Sequence, residues 1–293
     1  MGFVKAERKK AKLRLALTGA SGSGKTYGAL LIAKGLGGKI AVIDTERGSA
    51  SLYSHLVDFD TLELLPPFTP EKYIDAIDLA ARAGYDTLII DSATHEWSGT
   101  GGCLEINEHI AQSKFRGNTW SAWNETTPRH RAFIDAMVQA PMHIIATSRS
   151  KTETAQQKND NGKTTVVKLG LKTEQRDGFE YEFTTVLDIV HDGHWATASK
   201  DRTGVFSSSE PQKLSEETGR TLAEWLSNGV DLDALAASIF DGIEKSESVE
   251  LLKSNVESAN ATLPQQYHEN ITKLKTKRYR ELVPKQPKEK EST

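Results

Sequence analysis

The feature that most constrains this chain is a short apolar run at residues 13–18 that ends in a glycine-rich turn and passes straight into a helical segment. The turn, Gly19-Ala20-Ser21-Gly22-Ser23-Gly24-Lys25-Thr26, fits the spacing G-x-x-x-x-G-K-[ST]. Glycines there let successive backbone N–H groups point inward, and the following helix directs its positive end at the same point. Such a concavity suits polyphosphate. The pattern arises by chance in a chain of this size about once in a hundred, and the strand before it and helix after it lower that further. Gly19, Ala20, Ser21, Gly22, Ser23, Gly24, Lys25, Thr26 and the adjoining Tyr27 are therefore the candidate nucleotide contacts. Lys25 is placed to reach the β and γ phosphates and Thr26 to offer its hydroxyl to Mg²⁺, so ATP and Mg²⁺ are the expected ligands.

The rest of the first two-thirds agrees with one architecture. Apolar runs too short for helices recur at residues 40–44 and 61–65 and, fully apolar, at 87–91 and 142–147. Between them lie helical segments at residues 70–83 and 128–139. The first has Thr69 as N-cap, Pro70 at its first position and Gly84 beyond its end. Alternating apolar strands and helices predict an α/β core with a mostly parallel sheet covered on both faces. After residue 147 the pattern changes. Residues 151–166 are polar around Asn159-Asp160-Asn161-Gly162, and two strand-like runs flank Asp192-Gly193, a hairpin signal. Antiparallel edge strands are expected there.

The expected organisation is a basic N-terminal arm at residues 1–12, the core at 13–207, a linker and helix at 208–230, a small helical C-terminal appendage at 231–283, and a disordered Lys/Glu/Pro-rich tail at 284–293. Net charge over the 293 residues is −3, which excludes a protein that coats nucleic acid by bulk charge. Both ends are nonetheless locally basic, with six basic residues against one acidic between Lys5 and Arg14. One cysteine, Cys103, excludes an intramolecular disulfide and fits a cytoplasmic setting. It is expected to be inert. No apolar stretch reaches membrane-spanning length. The histidines show no metal-ligand spacing, and with one cysteine no zinc site is expected.

Hydrolysis needs a magnesium-side carboxylate and a group to activate water. Asp91 ends the apolar run Thr87-Leu88-Ile89-Ile90-Asp91, where it can hold Mg²⁺ through water. The next position is Ser92, so the base must come from elsewhere. Glu46, just past the run Ile40–Asp44, is the first candidate and Glu96 the second. His95, beside Glu96, reads as structural.

Taken together, Gly19–Thr26, Ile43-Asp44-Thr45-Glu46 and Ile90-Asp91-Ser92 resemble the RecA/Rad recombinase superfamily of P-loop ATPases. The likeness is strongest to the phage Sak-four-type proteins of single-strand annealing and recombination, through residues 145–151 and 199–204. The resemblance covers residues 13 to about 207. It implies a RecA-like fold, a catalytic glutamate at Glu46, γ-phosphate sensing by Ser148 and Arg149, and a Lys200-Asp201-Arg202 segment whose Lys200 and Arg202 reach a neighbouring subunit's nucleotide. It implies a homo-oligomer, single-stranded DNA as partner with a single-strand-binding protein beside it, and the bacterial host's cytoplasm if phage-encoded.

By the same resemblance the DNA-contacting stretches are residues 97–123 and 151–172. The first interleaves Lys114, Arg116, Trp120 and Trp123; the second carries Lys151, Lys158, Lys163, Lys168 and Lys172. Basic and aromatic residues in alternation suit phosphate tracking with base stacking. Trp120 and Trp123 are three apart, so on a helix they share a face, and inward packing is the competing account, above all for Trp123. The chain lacks the long N-terminal domain of filament-forming recombinases, which favours annealing or loading over strand exchange. Two other readings stay open: an ATP-gated interaction module with slow turnover, and a small-molecule phosphotransferase.

Overall fold

A computed structural model describes residues 10–158, 164–206 and 210–283, and within 152–171 the backbone alone. Most of the basic arm, Lys163, the side chains of Lys158 and Lys168, residues 207–209 and the tail lie outside the described residues. Among the described residues no helix is long and apolar enough to cross a membrane.

The larger compact unit, residues 12–226, is built on a nine-stranded sheet. Its strands are β1 (Arg14–Gly19), β2 (Ile40–Asp44), β3 (Asp60–Glu63), β4 (Thr87–Asp91), β5 (His143–Lys158), β6 (Thr164–Thr173), β7 (Thr185–Ile189), β8 (Trp195–Asp201) and β9 (Gln212–Lys213). The order is β3-β2-β4-β5-β1-β7-β8-β9, with β6 paired to the far end of β5. From β3 to β7 neighbouring strands run parallel; β8, β9 and β6 pair antiparallel. This is the expected α/β class, mostly parallel with antiparallel edges. The β4 strand is separated from β1 by β5.

Alternation along each strand divides the core into two layers, because successive side chains face opposite ways. Ala16, Ala41, Ile43, Leu88, Ile90, Ile144 and Ala146 pack with helices α2 (Pro70–Ala83) and α5 (Thr119–Gln139). Leu15, Leu17, Val42, Ile89, Ile145 and Leu187 pack with α1 (Lys25–Leu36) and α6 (Glu216–Ser227). A Cβ on Gly35 would meet the backbone of α6, and one on Gly219 the backbone of α1; glycine at both lets these helices cross in backbone contact. The compact unit thus runs through Leu226, whereas the sequence suggested a core ending at 207 and a separate linker and helix. Leu222 and Leu226 of α6 bury against the sheet.

The edge of the sheet away from the glycine turn is stitched by two polar residues. Buried Arg14 donates to the carbonyls of Leu13, Met142, Val138 and Ala140, and burial lowers its pKa to about 10. His143 Nδ1 accepts from the Leu13 N–H at 2.9 Å. Burial, with Lys12 and Arg14 nearby, lowers its pKa to about 4, which keeps the ring neutral and able to accept.

The segment after β4, which includes the stretch 97–123, forms three helices: α3 (Thr94–Ser98), α4 (Cys103–Lys114) and α5. The last begins nine residues before Pro128, where the sequence suggested its start. A second unit contains helices α7 (Leu232–Glu244), α8 (Val249–Thr262) and α9 (His268–Leu282). Asp231 and Ser248 cap α7 and α8. Ala236, Ile243, Leu252, Val256, Leu263 and Ile271 form this unit's own core.

Candidate nucleotide cleft and an aromatic neighbour

The chain leaves the carboxyl edge of β1 at Gly19 and turns into α1 within five residues. Gly22 (φ 75°) and Gly24 (φ 92°) hold left-handed conformations that a side chain would strain. Lys25 is 9% exposed. Its ammonium folds back to donate to Gly19 O at 3.0 Å and Ala20 O at 2.8 Å. Burial lowers its pKa, while Asp91 and Glu46 pull the other way. The Ser23 hydroxyl is buried and has no partner within the protein. A loop with a cation turned onto its own carbonyls and an unsatisfied buried hydroxyl is shaped to receive oxyanions.

Asp91, at the end of β4, is reached by the hydroxyls of two other elements. Thr26 Oγ1 donates to one carboxylate oxygen at 2.6 Å, and Thr147 Oγ1 on β5 donates to the other at 2.5 Å. Burial raises the Asp91 pKa, against the lowering by these two bonds. A hydroxyl beside a carboxylate is a hard oxygen pair of the kind magnesium takes, so the residues fit that ion.

The β2 strand lies beside β4 in register, Asp44 opposite Asp91. Asp44 is not free for chemistry. Its carboxylate accepts from Glu46 N at 2.6 Å and Ala50 N at 2.9 Å, so it shapes the turn that aims Glu46. Glu46 lines the same cleft as Lys25, Thr26 and Asp91, and accepts from Arg149 Nη2 at 2.6 Å. The cleft measures about 680 Å³. Thr45 Oγ1 meets Asp91 O, Ser92 N and His95 Nδ1, tying the ends of β2 and β4 to α3. His95 stacks on Phe68, and burial lowers its pKa.

Glu96 is elsewhere. It is fully buried and meets Cys103 Sγ at 3.0 Å and His130 Nδ1 at 3.1 Å; it does not line the cleft. No interval along the chain signals this grouping. Spacing along the chain had excluded a Cys/His metal cluster, yet three distant residues converge.

Lys200 and Arg202 lie at the opposite edge of the sheet from Gly19. Thr185 pairs with both Leu15 and Asp201, whereas Gly19 pairs with Ile189. Lys200 donates to Glu180 O and Tyr181 O, and Arg202 is exposed. Neither meets this chain's own phosphate turn. The β7–β8 turn supplies His194 instead, whose Nδ1 contacts Ser23 O at 3.0 Å. Sequence reasoning missed His194, and only the hairpin signal at Asp192-Gly193 hinted that a turn would lie there.

A second cleft, of about 840 Å³, is lined by Trp97, Trp120, Trp123, Lys151, Lys172 and Arg176 among others. Trp123 stacks on Trp97 with centroids 5.5 Å apart and planes at 16°, and Arg176 lies over its ring. Trp120 is 85% exposed. Lys151 and Lys172 pair with Glu174 and Asp177. Lys114 pairs with Glu125 at 2.6 Å, and neither it nor Arg116 lines this cleft.

A family model described as an AAA domain matches residues 11–213 of the chain. No curated protein matches it. Among solved structures, the crystal structure of the RadB recombinase is similar at 14% identity, covering 64% of this chain and 81% of that one, with a TM-score of 0.36. That likeness carries no functional weight.

Proposed function

This chain belongs to the AAA domain family, and from that premise we propose that it binds Mg·ATP at Gly19–Thr26, hydrolyses it with Glu46 as general base, and couples turnover to single-stranded DNA. The observation that carries this reading is the convergence of Lys25, Thr26, Asp91, Glu46 and Arg149 on one cleft.

In this reading the loop amides and Lys25 take the phosphates, the ammonium exchanging its carbonyl partners for phosphate oxygens. Thr26 and Asp91 would hold magnesium, which would supply charge to offset that on the phosphate oxygens. Glu46 accepts a proton from the attacking water as the bond to the leaving ADP breaks and inorganic phosphate forms. Arg149 occupies Glu46 before nucleotide arrives; a γ-phosphate competes for the guanidinium and frees the carboxylate. Ser148, the second sensor that the resemblance implies, is fully buried and does not line the cleft, so the sensing role rests on Arg149. Arg202 serves in trans, from a neighbouring subunit of a homo-oligomer, and its exposure far from its own cradle agrees with that role. Lys200 already has local carbonyl partners, so in this reading it positions the segment.

Single-stranded DNA is assigned to the aromatic cleft. Trp120 offers a free ring face, and Lys151, Lys172 and Arg176 supply positive charge. A backbone link favours coupling: Glu174, lining that cleft, donates its N–H to Arg149 O at 2.7 Å. The wider reading is a role in phage-type annealing or recombination, with a single-strand-binding protein as a partner.

The test is phosphate release with and without single-stranded DNA, run with particle mass. Turnover that rises with DNA and with assembly is expected. Slow turnover indifferent to DNA would replace this reading with an ATP-gated module, and phosphate transfer to a nucleoside monophosphate would replace it with a phosphotransferase.

A further inference from the structure

Away from the nucleotide cleft, Glu96 of α3, Cys103 at the start of α4 and His130 of α5 bring a carboxylate, a thiol and an imidazole together in the interior. Glu96 and Cys103 are 0% exposed and His130 5%. Their ligating atoms all lie within 4.8 Å of one another. Cys103 Sγ is 3.0 Å from Glu96 Oε1, and His130 Nδ1 is 3.1 Å from both carboxylate oxygens. A tetrahedral zinc with bonds of 2.0–2.3 Å spaces its ligand atoms by roughly 3.5 Å. The observed spacing brackets that value, so side-chain adjustments of under about 1 Å would complete three corners.

We propose that Glu96, Cys103 and His130 form a zinc site that pins α3, the helix following the Asp91 strand, to α4 and α5. Thiolate, imidazole and carboxylate are zinc's own ligand set. With a thiolate and a carboxylate, the bound ion leaves the buried group electrically neutral, which removes the cost of an uncompensated interior charge. Gln175 supplies an outer contact: its amide donates to Ala93 O at 2.9 Å and lies 3.5 Å from Glu96 Oε2, holding the carboxylate in place as ligand-orienting groups do. The fourth corner is left to water. Binding replaces the S–H bond of Cys103 with a zinc–sulfur bond, and that proton leaves to buffer. The Nδ1 proton of His130 moves to Nε2, or is also released where the ring enters as imidazolium.

The site is separate from the Thr26–Asp91 pair, which offers only oxygen and suits magnesium. Metal binding is therefore readable without nucleotide. The experiment uses the full chain, reduced, stripped with chelator and titrated with zinc alone, then with cobalt as a spectroscopic probe. Stoichiometric zinc retention through gel filtration is expected, with release of at least one proton and a thiolate-to-cobalt charge-transfer band. Cys103→Ser keeps a hydroxyl beside Glu96; it should lose the band and weaken zinc binding by about 100-fold or more. His130→Gln should weaken it comparably, with circular dichroism and ATP affinity unchanged in both variants. Failure of the stripped wild-type chain to retain zinc or to develop the band would overturn the proposal. So would a band that survives Cys103→Ser. Because the wild-type titration is decisive alone, a variant that fails to fold does not shield the idea.

Discussion

The two clefts of the core differ in what builds them. The nucleotide cleft is made of backbone and buried polar groups: left-handed glycines, a folded-back lysine, and an aspartate held by two hydroxyls. The aromatic cleft is made of side-chain tips from α3, α4, α5, β5, β6 and the segment after β6, with one indole 85% exposed and its lysines paired to carboxylates. The first is preorganised, as stabilising developing charge requires, because fixed dipoles need no rearrangement at the moment of reaction. The second is suited to a partner whose every unit has a flat face and a charge but no fixed sequence. A rigid site placed beside an adaptable one separates chemistry from recognition, and substitutions should separate them too.

The largest break belongs to Lys25. Lys25→Ala removes the cation that folds onto the loop carbonyls, and phosphate release should fall to background. Normal turnover in this variant would remove the nucleotide cleft from the account. Next is Arg202. If it acts across a subunit contact, Arg202→Ala should cut turnover by about 10³-fold. Mixing with Lys25→Ala subunits, which still carry the arginine, should restore part of it. No recovery on mixing would leave Arg202 as a surface residue. Glu46→Gln follows, with hydrolysis lowered by ~10²-fold and ATP affinity retained, since only proton acceptance is lost. Glu96→Gln is its control: the side chain lies in the buried cluster, so stability should fall and turnover per folded chain should not. The reverse outcome would exchange the two assignments.

How far each region was legible follows from the same difference. The phosphate turn is contiguous, and its chemistry is a backbone shape that glycine spacing dictates, so residues 19–26 announced it. Strand β4 and helix α2 were equally plain, because an unbroken apolar run and a Thr69-Pro70 start with Gly84 beyond are local signals. The Asp192-Gly193 turn predicted the β7–β8 hairpin for the same reason. What stayed hidden depends on distant segments meeting. Helix α5 runs through Pro128, so the proline marks its interior and not its start. Glu96, Cys103 and His130 sit on three helices, and no interval along the chain connects them. Arg149 was named as a phosphate sensor, yet its bond to Glu46 spans 103 positions and no pattern encodes it. Trp120 and Trp123, three apart on α5, have different fates because Trp97 and Arg176 cover only the second.

That divergence sets the smallest prediction. Trp123 packs against both Trp97 and Arg176, so Trp123→Ala should lower thermal stability along with any DNA affinity and cannot separate the two. Trp120 has no such burden. One stacked base contributes roughly 1–3 kcal/mol, so Trp120→Ala should weaken single-strand binding about tenfold while melting temperature and ATP affinity hold. The salt dependence of binding distinguishes stacking from charge. Removing an indole takes away no phosphate contact, so the log–log slope should not change. Lys151→Gln should flatten it by about 0.7 if that lysine meets one phosphate. A Trp120→Ala chain that binds single strands as tightly as wild type would detach the aromatic cleft from DNA.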